Sequence, residues 1–99
     1  MEATQVSDDE RVLELRTQGR SFTSIARTLG LAKVPMATDA FNRALRTRSI
    51  DLQQSLRRDE HQRLDMLAEH VRADAALTPE TMARRLVVID RMRVALDAE

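Results

Sequence analysis

The chain has 99 residues, no cysteine and only two aromatic side chains, and its 16 acidic and 16 basic residues give a formal net charge of zero. The lack of cysteine excludes a disulfide framework and the usual thiolate zinc sites. No apolar run approaches membrane-spanning length, and the polar N-terminus lacks the apolar core of a signal peptide. The composition favours helices over strands, so we expect a cytoplasmic, all-α protein of one small domain or two very small ones.

The zero net charge conceals a basic segment. Residues 1–10 carry four acids and no base, whereas residues 11–48 carry eight basic side chains against two acids, a formal charge of +6. Such a segment is typical of a small nucleic-acid-binding module. The alternative is that these basic residues only solvate helix surfaces.

The first two helices are predicted from caps and apolar spacing. A capping box at Ser7-Asp8-Asp9-Glu10 precedes helix 1, which is expected over about residues 8–18 and ends at Gly19. Ser21 caps helix 2, and Gly30 ends it. The apolar residues of helix 2 follow the i, i+3, i+4, i+7 pattern and are Phe22, Ile25, Ala26 and Leu29.

Three further helices follow. Pro35 suits the first turn of helix 3, expected over about residues 35–48, and helix 4 is expected over about 49–76. Thr78-Pro79 is an N-cap followed by proline, so helix 5 should run to about Asp97 and fold back on helix 4 as an antiparallel hairpin. The apolar stripe predicted for helix 4 consists of Leu52, Leu56, Leu64, Leu67 and Val71.

Helices 2 and 3 have the features of a helix-turn-helix. Ala26 supplies the small residue where the two helices approach, Gly30 supplies the turn, and apolar residues such as Phe41 lie on either side. The turn "LAKVP" is one residue longer than the tightest form of the motif. A plain helical bundle is the alternative. The predicted fold is therefore an N-terminal three-helix helix-turn-helix domain, residues 1–48, followed by an antiparallel helical hairpin, residues 49–99.

Helix 3 is the predicted reading helix. Arg43 and Asn42 are the candidates for base contacts, because arginine and asparagine can each form two hydrogen bonds with guanine and adenine, respectively. Lys33, Arg20 and Arg27 are better placed to contact phosphates. For each residue the alternative is a solvated surface side chain. The full predicted DNA-binding set is Arg20, Arg27, Lys33, Thr38, Asp39, Asn42, Arg43 and Arg46.

The distribution of apolar residues around helix 5 predicts self-association. Its seam of Met82, Leu86, Ile89 and Leu96 would suffice to pack on helix 4, yet Val87, Val88, Met92 and Val94 make it apolar around much of its circumference. A helix that is apolar on several sides is buried on several sides, so we expect a second chain to cover the excess. Packing on the N-terminal helices of the same chain is the alternative. The predicted oligomerisation residues are Leu64, Leu67, Leu86, Val88, Ile89 and Met92.

Catalysis finds little support in the sequence. His61 and His70 are nine residues apart, which places them on roughly opposite sides of a helix, with no third ligand arranged beside them. Acids such as Asp65 are interpreted as solvated partners of arginines on helix 4, and the chain has too few glycines for a phosphate-binding loop. We therefore expect no enzyme activity, no catalytic residue, no cofactor and no metal.

The segments "GRSFTSIARTLGL", "RALRTRS", "HQRLDML" and "RLVVIDRMRVAL" together resemble actinobacterial and phage proteins related to the small subunit of the phage terminase. The resemblance spans roughly residues 10–97 and rests on hydrophobic patterns. It implies an N-terminal helix-turn-helix that binds packaging-initiation DNA and a helical hairpin that assembles the subunits, often into a ring. It assigns DNA contact to Lys33, Thr38, Asn42 and Arg43, and assembly to Leu64, Leu67, Leu86, Ile89 and Met92.

The same resemblance implies the terminase large subunit as a partner and, for a phage-encoded chain, the host cytoplasm as location. Many members use a further C-terminal segment to engage that partner, and this sequence ends with the last hairpin helix. Asp65 and Asp90 match aspartates of the pattern whose role is not apparent from the sequence. The expected function is sequence-selective binding of double-stranded DNA by a homo-oligomer. The alternatives are a dimeric transcriptional regulator and a protein-interaction module that does not bind DNA.

Overall fold

A computed structural model describes residues 8–98, which form five α-helices and no strand. The all-α class is therefore confirmed for this part of the chain. The chain divides into two compact units, with the boundary between Arg48 and Ser49, and we call them the N-terminal and C-terminal units. The helices are α1 Asp8–Thr17, α2 Phe22–Leu29, α3 Val34–Leu45, α4 Ile50–Ala73 and α5 Pro79–Asp97.

Helix ends follow local capping chemistry. The hydroxyls of Ser21 and Thr78 each accept a hydrogen bond, at 3.1 Å, from the amide three residues later. Gly30 has φ +69°, and the Leu31 amide donates to the Ala26 carbonyl at 2.8 Å, which together close α2 with a left-handed cap. The capping box predicted at the start of helix 1 includes Ser7, which lies outside the described residues.

Helices α3 and α4 each end three residues before the predicted limit, at Leu45 and Ala73. After α3, the Thr47 hydroxyl donates to the Ala44 carbonyl at 2.7 Å. After α4, the Asp74 carboxylate accepts from the Ala76 amide at 3.0 Å. Short polar side chains that bond to nearby backbone compete with helix continuation, and this local competition explains both early ends.

The core of the N-terminal unit lies where α1 and α2 pack against α3. Phe22 and Phe41 meet edge to face with their ring centroids 5.6 Å apart. The Arg16 guanidinium lies 4.1 Å from the centre of the Phe22 ring, so a cation covers the outer side of this aromatic pair. The buried apolar residues of this unit are Val12, Leu13, Phe22, Ile25, Ala26, Ala37, Ala40, Phe41, Ala44 and Leu45.

In the C-terminal unit, α4 packs against α5, and the start of α4 lies beside the end of α5. Arg57 Nε donates to the Leu96 carbonyl at 3.0 Å, and His61 Nε2 lies 2.8 Å from Asp97 Oδ1. The buried residues are Leu64, Ala68, Val71, Ile89 and Leu96, together with the carboxylate of Glu60. Of the apolar stripe predicted on α4, Leu64 and Val71 are buried, whereas Leu52 and Leu67 are each 45% exposed.

Among the helices that the structure describes, none combines the length and the apolar character needed to cross a bilayer.

Candidate nucleic-acid interface

One face of α3 is open to solvent. Met36, Asp39, Arg43 and Arg46 are all exposed and recur at helical spacing. Ala37, Ala40, Phe41 and Ala44 point into the core instead. Residues that share a helix face can contact one ligand together, and we call this set of four exposed residues the α3 outer face. Sequence reasoning overlooked Met36, although its seven-residue spacing from Arg43 is visible in the sequence.

The prediction that Asn42 faces DNA is wrong, because this residue is only 4% exposed. At about 100° per residue, Asn42 is rotated away from Arg43 toward the flank that also holds Thr38 and Leu45. Thr38 is half-buried on the same flank. Both α1 and α2 pack against α3, so the buried arc of α3 is wider than a single apolar stripe predicts. The solvent-facing side of α3 therefore includes Arg43 and does not include Asn42.

Arg43 is held by an acid from α1. Its Nε donates to Asp9 Oδ2 and its Nη2 donates to Asp9 Oδ1, each at 2.9 Å. This hydrogen bonding lowers the pKa of the Asp9 carboxyl and raises the pKa of the Arg43 guanidinium. Arg48 is likewise paired with Glu10 of α1. Acids outside the basic segment thus neutralise part of it in the folded chain.

The three residues predicted to contact phosphates differ in the surroundings of their side chains. Arg20 donates to the Ser24 hydroxyl from Nε at 3.0 Å and from Nη2 at 2.6 Å, and Nη2 also reaches the Thr28 hydroxyl. These bonds hold the guanidinium along α2. Arg27 on α2 and Lys33 at the N-cap of α3 are exposed. Arg27 and Lys33 are therefore better placed than Arg20 to meet an external anion.

Replacing Asp9 with asparagine is expected to reduce the free energy of unfolding at neutral pH. The Asp9 and Arg43 side chains are 31% and 56% exposed, so water screens the pair and the loss stays below about 1 kcal/mol. The folded-state pKa of Asp9 lies below its unfolded value, so the unfolded chain binds more protons in acid. The stabilisation is therefore complete above the ordinary aspartate pKa of about 3.9 and disappears as the pH falls through the lowered one.

Urea unfolding of both proteins at pH 7 and at about pH 2.5 checks this expectation. The difference between wild type and Asp9→Asn should shrink toward zero in acid. An equal difference at both pH values would contradict it.

One lateral side of the C-terminal unit is polar. Arg93 on α5 lies 2.6 Å from the Asp65 carboxylate on α4 and 3.9 Å from Asp90. Asp65 therefore pairs across the two helices, and the expectation that it pairs with arginines of its own helix is wrong. The carboxylates of Asp65 and Asp90 thus both lie within ion-pair distance of one guanidinium.

The opposite side of this unit is apolar. Leu67 and Val71 of α4 and Val88, Ile89 and Met92 of α5 line an open groove of about 430 Å³. Arg84 and Arg85 lie at its rim. Val88 is 51% exposed, whereas Ile89 is buried at the base of the groove.

The other predicted oligomerisation residues lie elsewhere. Leu64 is buried between α4 and α5, and Leu86 is half-buried, so neither offers a large free surface. Val87 and Val94, which are 48% and 73% exposed, lie together on a further face of α5.

Within residues 8–98, no group of three or more His, Asp or Glu side chains is arranged to hold a metal ion. His61 is engaged with Asp97, and His70 is exposed. Two surfaces of the described residues are considered further, the α3 outer face and the apolar groove. Comparison of the chain with protein-family models, curated proteins and solved structures gives no match.

Proposed function

We propose that this protein is a sequence-selective DNA-binding protein that acts as a homo-oligomer, with α2 and α3 as its helix-turn-helix. The observation that carries the proposal is the α3 outer face, which presents Arg43 and Arg46 to solvent on a helix anchored by α1 and α2. A rigid exposed helix with arginines at this spacing suits insertion into the major groove. Arginine is also the side chain that most often contacts guanine there.

The turn between α2 and α3 supports this role. The left-handed Gly30 cap and the four residues 30–33 redirect the chain, while the contact of Phe22 with Phe41 fixes α2 against α3. Such anchoring limits the movement of α3, and a fixed reading helix loses little entropy on binding. Arg27 on α2 and Lys33 at the N-cap of α3 are both exposed, and they supply the phosphate contacts that position α3 on the DNA.

The apolar groove is the proposed contact with a second copy of this chain. Two helices of 24 and 19 residues cannot enclose a large core, and small units of this kind commonly gain stability from self-association. The groove lies opposite the polar side that holds the ion pair of Asp65 with Arg93. A second copy therefore covers exposed Leu67 and Val88 without breaking that ion pair. Linking two or more DNA-binding units also raises affinity for a repeated site.

Within this class, we propose a small-terminase-like factor that recognises packaging-initiation DNA and engages a terminase large subunit. Support comes from the order of the elements along the chain, in which a candidate helix-turn-helix is followed by a pair of helices with an apolar side. The resemblance to the small subunit of the phage terminase implies the same order. A dimeric transcriptional regulator shares these parts, and subunit number separates the two. Mass measurement in solution, with and without duplex DNA, should show more than two subunits for a packaging factor.

The affinity for duplex DNA is expected to fall steeply with salt, because phosphate contacts release bound cations. Replacing Arg27 and Lys33 together with alanine should reduce the slope of log affinity against log salt by about 0.9 for each phosphate that is no longer neutralised. Titration of a fluorescent duplex at several salt concentrations measures the slope. The matched control, Arg58→Ala with Arg72→Ala, removes two exposed charges from α4 and should leave the slope almost unchanged.

Two results would count against the proposal. A salt-independent affinity would exclude phosphate contacts as the driving force. Absence of binding to any duplex at low salt would favour a protein-interaction module instead.

A further inference from the structure

The bond between Asp9 and Arg43 uses the same two donors that a contact with guanine would use. Two nitrogens of one guanidinium donate to two oxygens of one carboxylate, both at 2.9 Å. In the major groove, guanine presents the same arrangement, with O6 and N7 as two acceptors in one plane. Asp9 therefore occupies the donor pair that a guanine edge would use.

We propose that Asp9 is a specificity-determining residue. Its bond to Arg43 persists when only DNA phosphates are near, and Arg43 exchanges this bond for one to a base edge with two acceptors, such as guanine. This inference rests on the proposed DNA-binding function. On DNA without a guanine at the right position, the only new partner for Arg43 is a phosphate, which the carboxylates of Asp9 and Asp39 repel, so Arg43 stays with Asp9. A guanine edge carries no net charge, so these carboxylates do not repel it, and its O6 and N7 accept from both donors of Arg43.

The surroundings of the pair make this exchange feasible. The Arg43 side chain is 56% exposed and that of Asp9 is 31% exposed, so DNA can reach the guanidinium without any unfolding of α1. Asp39 lies one turn before Arg43 on the α3 outer face and adds a second negative charge beside it. Two acids near one arginine repel phosphates, which is a repulsive element against incorrect DNA.

The test compares wild type with Asp9→Asn on two duplexes. One is the 20-base-pair duplex that the wild-type chain enriches from a random library, and the other is a shuffled duplex of equal composition. With Asp9 neutralised, Arg43 is free to contact phosphates on any DNA, so affinity for the shuffled duplex should rise more than affinity for the enriched one. We expect the ratio of the two affinities to fall by up to about fivefold, the upper end of the range for an exposed ion pair.

The salt slope distinguishes a new contact from a mere change in charge. On the shuffled duplex, Asp9→Asn should steepen the slope by about 0.9, the value of one added phosphate contact. On the enriched duplex, where Arg43 contacts a base, the slope should stay as in the wild type. Asp8→Asn is the matched control, because it removes the same charge from the same turn and leaves the pair of Asp9 with Arg43 in place.

A double variant tests whether the effect passes through Arg43. In an Arg43→Ala background, Asp9→Asn should change both affinities only as much as Asp8→Asn does. Equal gains on both duplexes for Asp9→Asn and Asp8→Asn, with DNA binding intact, would overturn this inference alone. Failure of the wild-type chain to bind or enrich any duplex would overturn the proposed function, and the inference with it.

Discussion

Replacing Val88 with glutamate is expected to dissociate the proposed homo-oligomer and leave the helices of each chain folded. Val88 is 51% exposed in the single chain, so the new carboxylate remains in water there and costs little. Glutamate also has a higher helix propensity than valine, which favours an intact α5. In the proposed assembly the same carboxylate would be buried among Leu67, Met92 and the second copy, at a cost of several kcal/mol.

Sedimentation velocity and circular dichroism together measure this outcome. The variant should sediment as a monomer with an unchanged helical spectrum, and its DNA affinity should fall because the units no longer bind together. Val94→Glu is the matched control, since Val94 is 73% exposed and lies with Val87 outside the groove. Dissociation by Val94→Glu alone would place the interface on that other face. A wild-type protein that is monomeric at high micromolar concentration would contradict self-association altogether.

Replacing Arg43 with alanine is expected to weaken binding to a preferred duplex far more than binding to a shuffled one. Arg43 is the arginine at the centre of the α3 outer face, and a contact that uses two hydrogen bonds with guanine is worth roughly 1 to 3 kcal/mol of discrimination. That energy corresponds to about 5- to 150-fold in affinity for the preferred duplex. Parallel titrations of the two duplexes at one salt concentration measure the ratio.

Asn42→Ala serves as the contrast, because the structure buries Asn42 on the flank of α3. This substitution should lower the thermal stability of the N-terminal unit and weaken binding to both duplexes equally. Arg20→Ala should also affect both duplexes alike, since its guanidinium bonds along α2. Equal losses on the two duplexes for Arg43→Ala would show that α3 is not the reading helix.

The number and order of the helices follow from local signals in the chain. Caps at Ser21 and Thr78, the Gly30 stop and the spacing of Phe22, Ile25 and Ala26 are local signals, and the structure confirms each of them. The reason is physical: capping and amphipathic spacing act within a few residues of the chain. The change of charge near residue 48 is also visible locally, and the two compact units meet at the same position.

Which side chains are available for binding depends on how the helices pack against one another. Burial of Asn42 depends on how α1 and α2 together cover α3, and the pairing of Asp9 with Arg43 joins residues 34 positions apart. On α4, spacing alone grouped Leu64 with Leu67, yet contact with α5 buries Leu64 and leaves Leu67 at the edge of the groove. Helical periodicity fixes only the angles between side chains, whereas the width of a buried arc and the partner of a charge depend on neighbouring helices.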